Sequence, residues 1–358
     1  MRTRLAWVWL ASSLMLASAA FAAEPAPQKL PRVKILATGG TIAGTGASTT
    51  QTVGYTAAVL PVDKLLASVP ELKRIANVSG EQIAQVASEN MTHGVWLKLA
   101  KRVNQLLASG EVDGIVITHG TDTMEETAYF LNLVVKSDKP VVLVGAMRPA
   151  TAMSADGPLN IYDAVLVAAS AEARGKGVLV TLNDTINGAR DVTKTNTSAV
   201  DTFRSPDLGF LGYVQDGRAV FYKQSTRMHT ARSVFDVSKL EALPRVEIVY
   251  GYANNSRVML DAAVAAGAKG VVHAGVGNGS LFDEVKQGLC DAQKKGVVIV
   301  RSSRVGSGIV ARNGEANDDE LHFVVSDTLN PQKARVLLAL ALTRTSDPNE
   351  IQKLFYQY

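Results

Sequence analysis

Residues 33–46 read VKILATGGTIAGTG. Val33 to Ala37 has the apolar, β-rich character of a buried strand, and it runs directly into a turn of glycines and hydroxyls. Glycine lacks a Cβ and accepts positive φ, so such a turn lets backbone fold closely around a ligand. Thr41 sits inside it, within reach. Two phosphate-binding readings fail here. A P-loop requires Lys-Ser/Thr after its second glycine, and although Gly39 and Gly44 have the spacing, Thr45-Gly46 follows. The dinucleotide fingerprint fails as well, because Gly44-Thr45-Gly46 runs into Ala47, Ser48 and Thr49. An ordinary strand-to-loop turn and a reactive one are equally supported by this stretch alone.

Working outward, residues 47–55 are small and polar and read as a surface loop of the kind that forms lids, closed by Tyr55. Tyr55 is either an anchor on the core or a working hydroxyl. From Val95, the positions Trp96, Leu99, Ala100, Val103, Leu106 and Leu107 mark one face of a helix. Gly114 to Ile117 follows as a strand, then Thr118-His119-Gly120-Thr121-Asp122. A helix comes next, opened by a capping box of Thr123 and Glu126, with Phe130, Leu133 and Val134 as its buried stripe. Further strands are expected over 141–144 and 178–182. Strands alternating with helices predict a doubly wound, mostly parallel α/β sheet, and ligands bind such sheets beyond the carboxyl ends of the strands. Both Thr41 and Thr121 lie there.

The larger amino-terminal domain is expected over 30–220, a linker with no apolar period over 221–244, and a smaller α/β domain over 245–358. Its strands are expected at 246–250, 270–273 and 297–300, and its last helix opens at Pro331 behind a capping Asn330. Residues 274–279, AGVGNG, repeat the glycine-rich strand exit.

At the other end, Arg2 and Arg4 precede an apolar run from Leu5 to Phe21, closed by Ala20-Phe21-Ala22. This is the pattern of a secretory signal cleaved after residue 22, and the run is shorter than the ~20 apolar residues of a spanning helix. Removing 22 of the 358 residues leaves 336, and takes the formal charge from +4 to +2. A domain averages about 150 residues, which favours two. A small excess charge without Lys/Arg runs argues against nucleic acid, and no later stretch is long enough to span a membrane. Cys290 is the only cysteine, which excludes an intramolecular disulfide. The five histidines are scattered without ligand spacing, so no metal is expected.

A threonine hydroxyl needs a base to become a nucleophile, and Tyr55, Asp122 and Lys194 are the available partners. Backbone N–H groups in the Gly39-Gly40 and Gly120 turns are candidate oxyanion donors. Taken singly, Asp122 reads equally as a helix cap and Lys194 as a solvated surface side chain.

Taken together, the motifs are specific. ATGGTIAG at 37–44 and THGTDTMEET at 118–127 resemble the two signature motifs of bacterial-type L-asparaginases, in the exported type II asparaginase and glutaminase-asparaginase group. VGAMRP at 144–149, SADGP at 154–158, DVTKTNT at 191–197, VRSSRV at 300–305 and TLNPQKARVLL at 328–338 extend the likeness over essentially the whole mature chain. The resemblance implies hydrolysis of the side-chain amide of L-asparagine, with lesser action on L-glutamine, in the periplasm and without a cofactor. It implies Thr41 as nucleophile, Tyr55 as its activating partner, and Thr121, Asp122 and Lys194 as a second set. Ser88 and Asp122 then bind the substrate's α-carboxylate and α-ammonium, Glu89 adds a contact to the ammonium, Gly40 and Gly120 line the site, and Ala146 contacts the departing amide. Asn278 and Glu315 match residues that reach in from a neighbouring subunit of a homotetramer built as a dimer of intimate dimers. Glu89 stands where some relatives carry Gln, and no paired cysteines are present. A periplasmic amino-acid binding protein is the alternative from another class. Such a binder shares the leader and the two domains but has no use for two partnered hydroxyls.

Overall fold

A computed structural model describes residues 29–358; the leader expected over 1–22 lies outside them. The large sheet draws on β1 (Arg32–Gly39), β2 (Asn77–Val86), β3 (Gly114–Thr118), β4 (Val141–Val144), β5 (Val178–Leu182) and β6 (Thr185–Gly188). The chain then forms β7 (Thr193–Lys194) and β8 (Phe203–Arg204), which pair only with each other, and β9 (Gly212–Gln215) and β10 (Arg218–Phe221), which return to the large sheet. The order is β10-β9-β6-β5-β4-β3-β1-β2, parallel from β5 to β2 and antiparallel from β5 to β10.

Successive side chains of β1 enter different cores, which shows how both faces are covered. Leu36 joins a core with Trp96, Leu99 and Phe130, whereas Val33, Ile35 and Ala37 join another with Val62, Ile161 and Val165. The helices supplying those layers are α1 (Val62–Ala67), α2 (His93–Ser109), α3 (Met124–Val134) and α4 (Gly157–Ala169). The sheet is thus wound on both sides, as its strand pattern predicts.

The second sheet holds β11 (Val246–Tyr250), β12 (Gly270–Gly275), β13 (Val298–Ser303) and β14 (Val324–Val325), all parallel and in sequential order. Its helices are α5 (Val258–Ala265), α6 (Asp283–Lys294), α7 (Asp318–Leu321), α8 (Pro331–Ala341) and α9 (Pro348–Gln357). Leu337 and Leu338 of α8 lie in the same core as Phe130 and Leu133 of α3, so the two sheets share apolar packing within one compact unit, Pro31–Tyr358.

Three details differ from the sequence reading. Thr123 makes no capping bond to its own helix; its hydroxyl donates instead to the Ser88 carbonyl at 2.8 Å, so tertiary contact outcompetes the capping box. Asn330 does cap α8, accepting from the Lys333 amide at 3.1 Å, but α9 follows as the last helix, with Pro348 in its first turn and Asp347 as its cap. The stretch 221–244 contributes β10's last residue and three core side chains, Phe235, Val237 and Leu243; the Phe235 ring sits 5.2 Å from that of Tyr358.

Candidate active site

Strand order explains where the cleft forms. β1 and β3 are adjacent, but the chain leaves β1 toward β2 on one side and β3 toward β4 on the other, which opens a crevice at their carboxyl ends. Thr41 leaves from β1 and Thr121 from β3. The Thr38 hydroxyl donates to the Thr118 carbonyl at 2.9 Å and ties the two strand ends together.

The turns then touch through glycine. Gly40 has φ +85, and a Cβ built on it would lie 2.3 Å from the Gly120 Cα; a Cβ on Gly120 would meet the Ser88 hydroxyl at 2.5 Å. No larger residue fits either position. The Gly40 N–H donates to the Val86 carbonyl at 3.1 Å. That amide is tied to the end of β2, which removes it from the oxyanion donors expected of the Gly39-Gly40 turn.

The Gly120 turn is braced from behind by a fully buried histidine. Gly120 offers only a carbonyl to the His119 Nδ1 at 2.7 Å, so Nδ1 carries the hydrogen and Nε2 accepts from the Thr127 hydroxyl at 2.8 Å. Thr127 in turn accepts from the Trp96 indole at 2.8 Å. Burial pushes His119 down to about 4, consistent with this neutral tautomer.

A cleft of about 530 Å³ opens over these turns. It gathers Gly40, Thr41, Tyr55, Ser88, Glu89, Gly120, Thr121, Asp122 and Lys194. The Thr41 hydroxyl lies 2.7 Å from the Tyr55 hydroxyl. Across the cleft, the Lys194 ammonium donates to the Thr121 hydroxyl oxygen at 2.9 Å and to Asp122 Oδ1 at 2.6 Å. Because the ammonium occupies a Thr121 lone pair, the threonine's own O–H is left to point elsewhere. The Ser88 hydroxyl accepts from the Asp122 amide at 3.1 Å and fastens the turn after β2 to the turn after β3.

The loop 47–55 forms the outer wall. A Thr45–Thr56 bridge pinches its base, and Gln51 accepts from the Ala47 amide while donating to the Val53 and Gly54 carbonyls. Met147 and Arg148 also line the cleft, their amides held by Asp156 at 2.9 and 3.0 Å. The sequence reading missed those two as lining residues, although the VGAMRP motif contains them.

Three expected residues lie outside this lining. Ala146 is fully buried one residue before Met147. Asn278 belongs to the β12 exit, where its side-chain oxygen accepts from the Ala311 amide at 2.8 Å, and Glu315 is an exposed residue ahead of α7. Among the described residues, no group of His, Cys, Asp and Glu has the arrangement of a metal site.

Fold and cleft together define a doubly wound α/β protein that gathers two threonine hydroxyls, each with its own polar partner, at a topological switch point. Comparison with known proteins makes this specific. Residues 32–227 match the model of the asparaginase amino-terminal domain, and residues 245–355 that of the glutaminase/asparaginase carboxyl-terminal domain. L-asparaginase 2 of Bacillus subtilis (strain 168) is 58% identical over 329 residues, covering 92% of this chain and 87% of its own. The glutaminase-asparaginase of Pseudomonas aeruginosa is 53% identical over 351 residues, covering 98% and 97%. The crystal structure of a probable cytoplasmic L-asparaginase from Campylobacter jejuni superposes with a TM-score of 0.90 at 53% identity, covering 92% of this chain and all of its own. The chain belongs to the asparaginase family.

Proposed function

We propose that this protein hydrolyses the side-chain amide of L-asparagine to L-aspartate and ammonia, with accompanying action on L-glutamine. The observation that carries the proposal is the pairing of Thr41 with Tyr55 at 2.7 Å, facing the Thr121–Lys194–Asp122 set in one cleft.

In this reading the Thr41 oxygen bonds to the amide carbon while its proton passes toward the Tyr55 oxygen. The carbonyl oxygen becomes an oxyanion held by backbone N–H groups of the Gly120 turn. The C–N bond breaks, and the nitrogen takes up that proton and leaves as ammonia. Water then cleaves the ester, releasing aspartate and restoring Thr41. The Thr121–Lys194–Asp122 set orients the water of this second step. Ser88 and Asp122 hold the substrate's α-carboxylate and α-ammonium, with Glu89 beside the ammonium. Ala146 contributes a backbone contact to the departing amide.

Asn278 and Glu315 complete the cleft of a neighbouring chain in a homotetramer, a role their position outside this chain's own lining supports. The leader-like pattern of residues 1–22 supports a periplasmic destination.

Ammonia release from L-asparagine and L-glutamine by the mature protein, beside Thr41→Ala and Thr121→Val, tests the proposal. Release from asparagine by the wild type, reduced by orders of magnitude in both variants, is expected. Binding of asparagine without release by the wild type would replace the amidase with a binding protein.

A further inference from the structure

Lys194 lies on β7, a strand of two residues that pairs only with the two residues of β8. Such a short ladder is a poor anchor for a side chain that must meet Thr121 and Asp122 within hydrogen-bond distance. The anchoring comes from elsewhere. Glu125, on the first turn of α3 and almost completely buried, faces the backbone of β7. Its Oε2 accepts from the Thr193 hydroxyl at 2.6 Å and from the Lys194 amide at 2.8 Å. Its Oε1 accepts from the Asn330 side-chain amide at 2.9 Å and from that of Gln332 at 2.6 Å.

One carboxylate therefore joins three elements: the helix that follows Thr121 and Asp122, the strand that carries Lys194, and the start of α8. Asn330 is fixed by its second job, since its Oδ1 caps α8. The same helix takes a second grip on the segment ahead of β7. The fully buried Lys333 ammonium donates to the Arg190 carbonyl at 2.8 Å and to the Val192 carbonyl. Burial lowers Lys333 to about 8, which adds a cost to keeping it charged there and makes a merely incidental contact a poor explanation.

We propose that Glu125 is a positioning residue, which sets Lys194 against Thr121 and Asp122 by clamping β7 to the capped end of α8. This rests on the amidase reading, and it adds a function for carboxyl-terminal residues of the same chain: Asn330, Gln332 and Lys333 hold the amine of the amino-terminal site without touching substrate. Glu125→Gln is the pointed substitution. The amide keeps an oxygen for Asn330 and Gln332, but its NH₂ meets the Lys194 N–H donor to donor. Thr193→Val removes a single donor to the carboxylate and keeps the volume and β-branching of the side chain.

The test measures kcat and KM for asparagine, with thermal melts, in wild type, Glu125→Gln, Thr193→Val, Lys194→Ala and the Glu125→Gln/Lys194→Ala double variant. Displacing a catalytic group by about 1 Å costs roughly 100-fold, so Glu125→Gln is expected to lose about 10- to 100-fold in kcat with KM changed by less than about 3-fold. Thr193→Val is expected to lose about 3- to 10-fold. In the Lys194→Ala background the Glu125→Gln effect is expected to vanish, since a residue acting through Lys194 has nothing left to position.

Equal losses in both backgrounds, or kcat held within about 2-fold in Glu125→Gln and Thr193→Val, would overturn the proposal. If Glu125→Gln fails to fold, the same comparison with Thr193→Val decides. An inactive wild type removes the amidase reading itself, and that outcome is distinguishable because it appears before any variant is compared.

Discussion

Two regions of this molecule carry the same glycine-rich strand-exit signal and come to opposite ends. At Gly39-Gly40 and Gly120 the chain departs in two directions, and the exits of β1 and β3 frame an open cleft. At Gly275 to Gly279 the second sheet runs β11-β12-β13-β14 without reversal, so no switch point arises. The side of that exit facing β13 is filled, while Val276 and Ser280 line a smaller cavity of about 380 Å³ on the β11 side. Arg301 and Asp318, both with fully buried side chains, pair at 2.7 Å. Arg301 also donates to the carbonyls of Asn278, Gly279 and Ala311. Glycine lets backbones approach, and sheet topology decides whether the space beyond holds a ligand or a plug.

Breaking the plug is expected to have the largest effect on stability. Arg301→Met leaves Asp318 buried without its partner, a loss of about 3–5 kcal/mol by denaturant melts, and replacing both by apolar residues should recover part of it. A matched pair of glycine variants sharpens the contrast. Gly40→Ala forces a Cβ to 2.3 Å from the Gly120 Cα at φ +85, whereas Gly275→Ala brings one to 2.7 Å from the Gly279 carbonyl carbon. Gly40→Ala is expected to cut ammonia release by about 100-fold or more, because it separates the two hydroxyl turns. Gly275→Ala should appear mainly as lost stability, with the smaller kinetic effect.

Tyr55→Phe keeps the ring and removes the hydroxyl 2.7 Å from Thr41, so kcat should fall about 10- to 100-fold with the fold intact. The smallest effect concerns pH. Burial, followed by the nearby Asp184, raises Asp163 of α4 to about 7 from the ordinary 3.8. A carboxyl raised in the folded state contributes stability that is complete below the unfolded value and is lost as pH climbs through the folded one. Asp163→Asn should therefore gain on the wild type between about pH 4 and 7, by on the order of 1–2 kcal/mol in melts across that range, and no further above it.

The sequence makes the parallel core legible because β1, β3, β4 and β5 are dense in Val, Ile and Leu and end in recognisable turns. It hides β2, NVSGEQIAQV, because that edge strand is half exposed and carries polar residues where a buried strand would not. The hairpin strands β6, β9 and β10 are four residues each, too short for a period to show. Single residues of the site are visible as motif members, but their partnership is not. Lys194 lies 73 positions from Thr121, and only the strand order brings them to 2.9 Å. The clamp on Glu125 is less legible still, since Gln332 lies 207 positions away on the other sheet's helix and reads as an ordinary first-turn residue. The capping box fails for the same kind of reason: the Ser88 carbonyl, 35 positions away, claims the Thr123 hydroxyl.

The central claim is that Thr41 forms the covalent bond to substrate. It is tested most directly by rapidly quenching the enzyme with asparagine during turnover and mapping peptides by mass spectrometry. An aspartyl ester on the peptide carrying Thr41, absent in Thr41→Ala, is the predicted result. An ester on the peptide carrying Thr121, or undiminished turnover by Thr41→Ala with no ester at all, would contradict it.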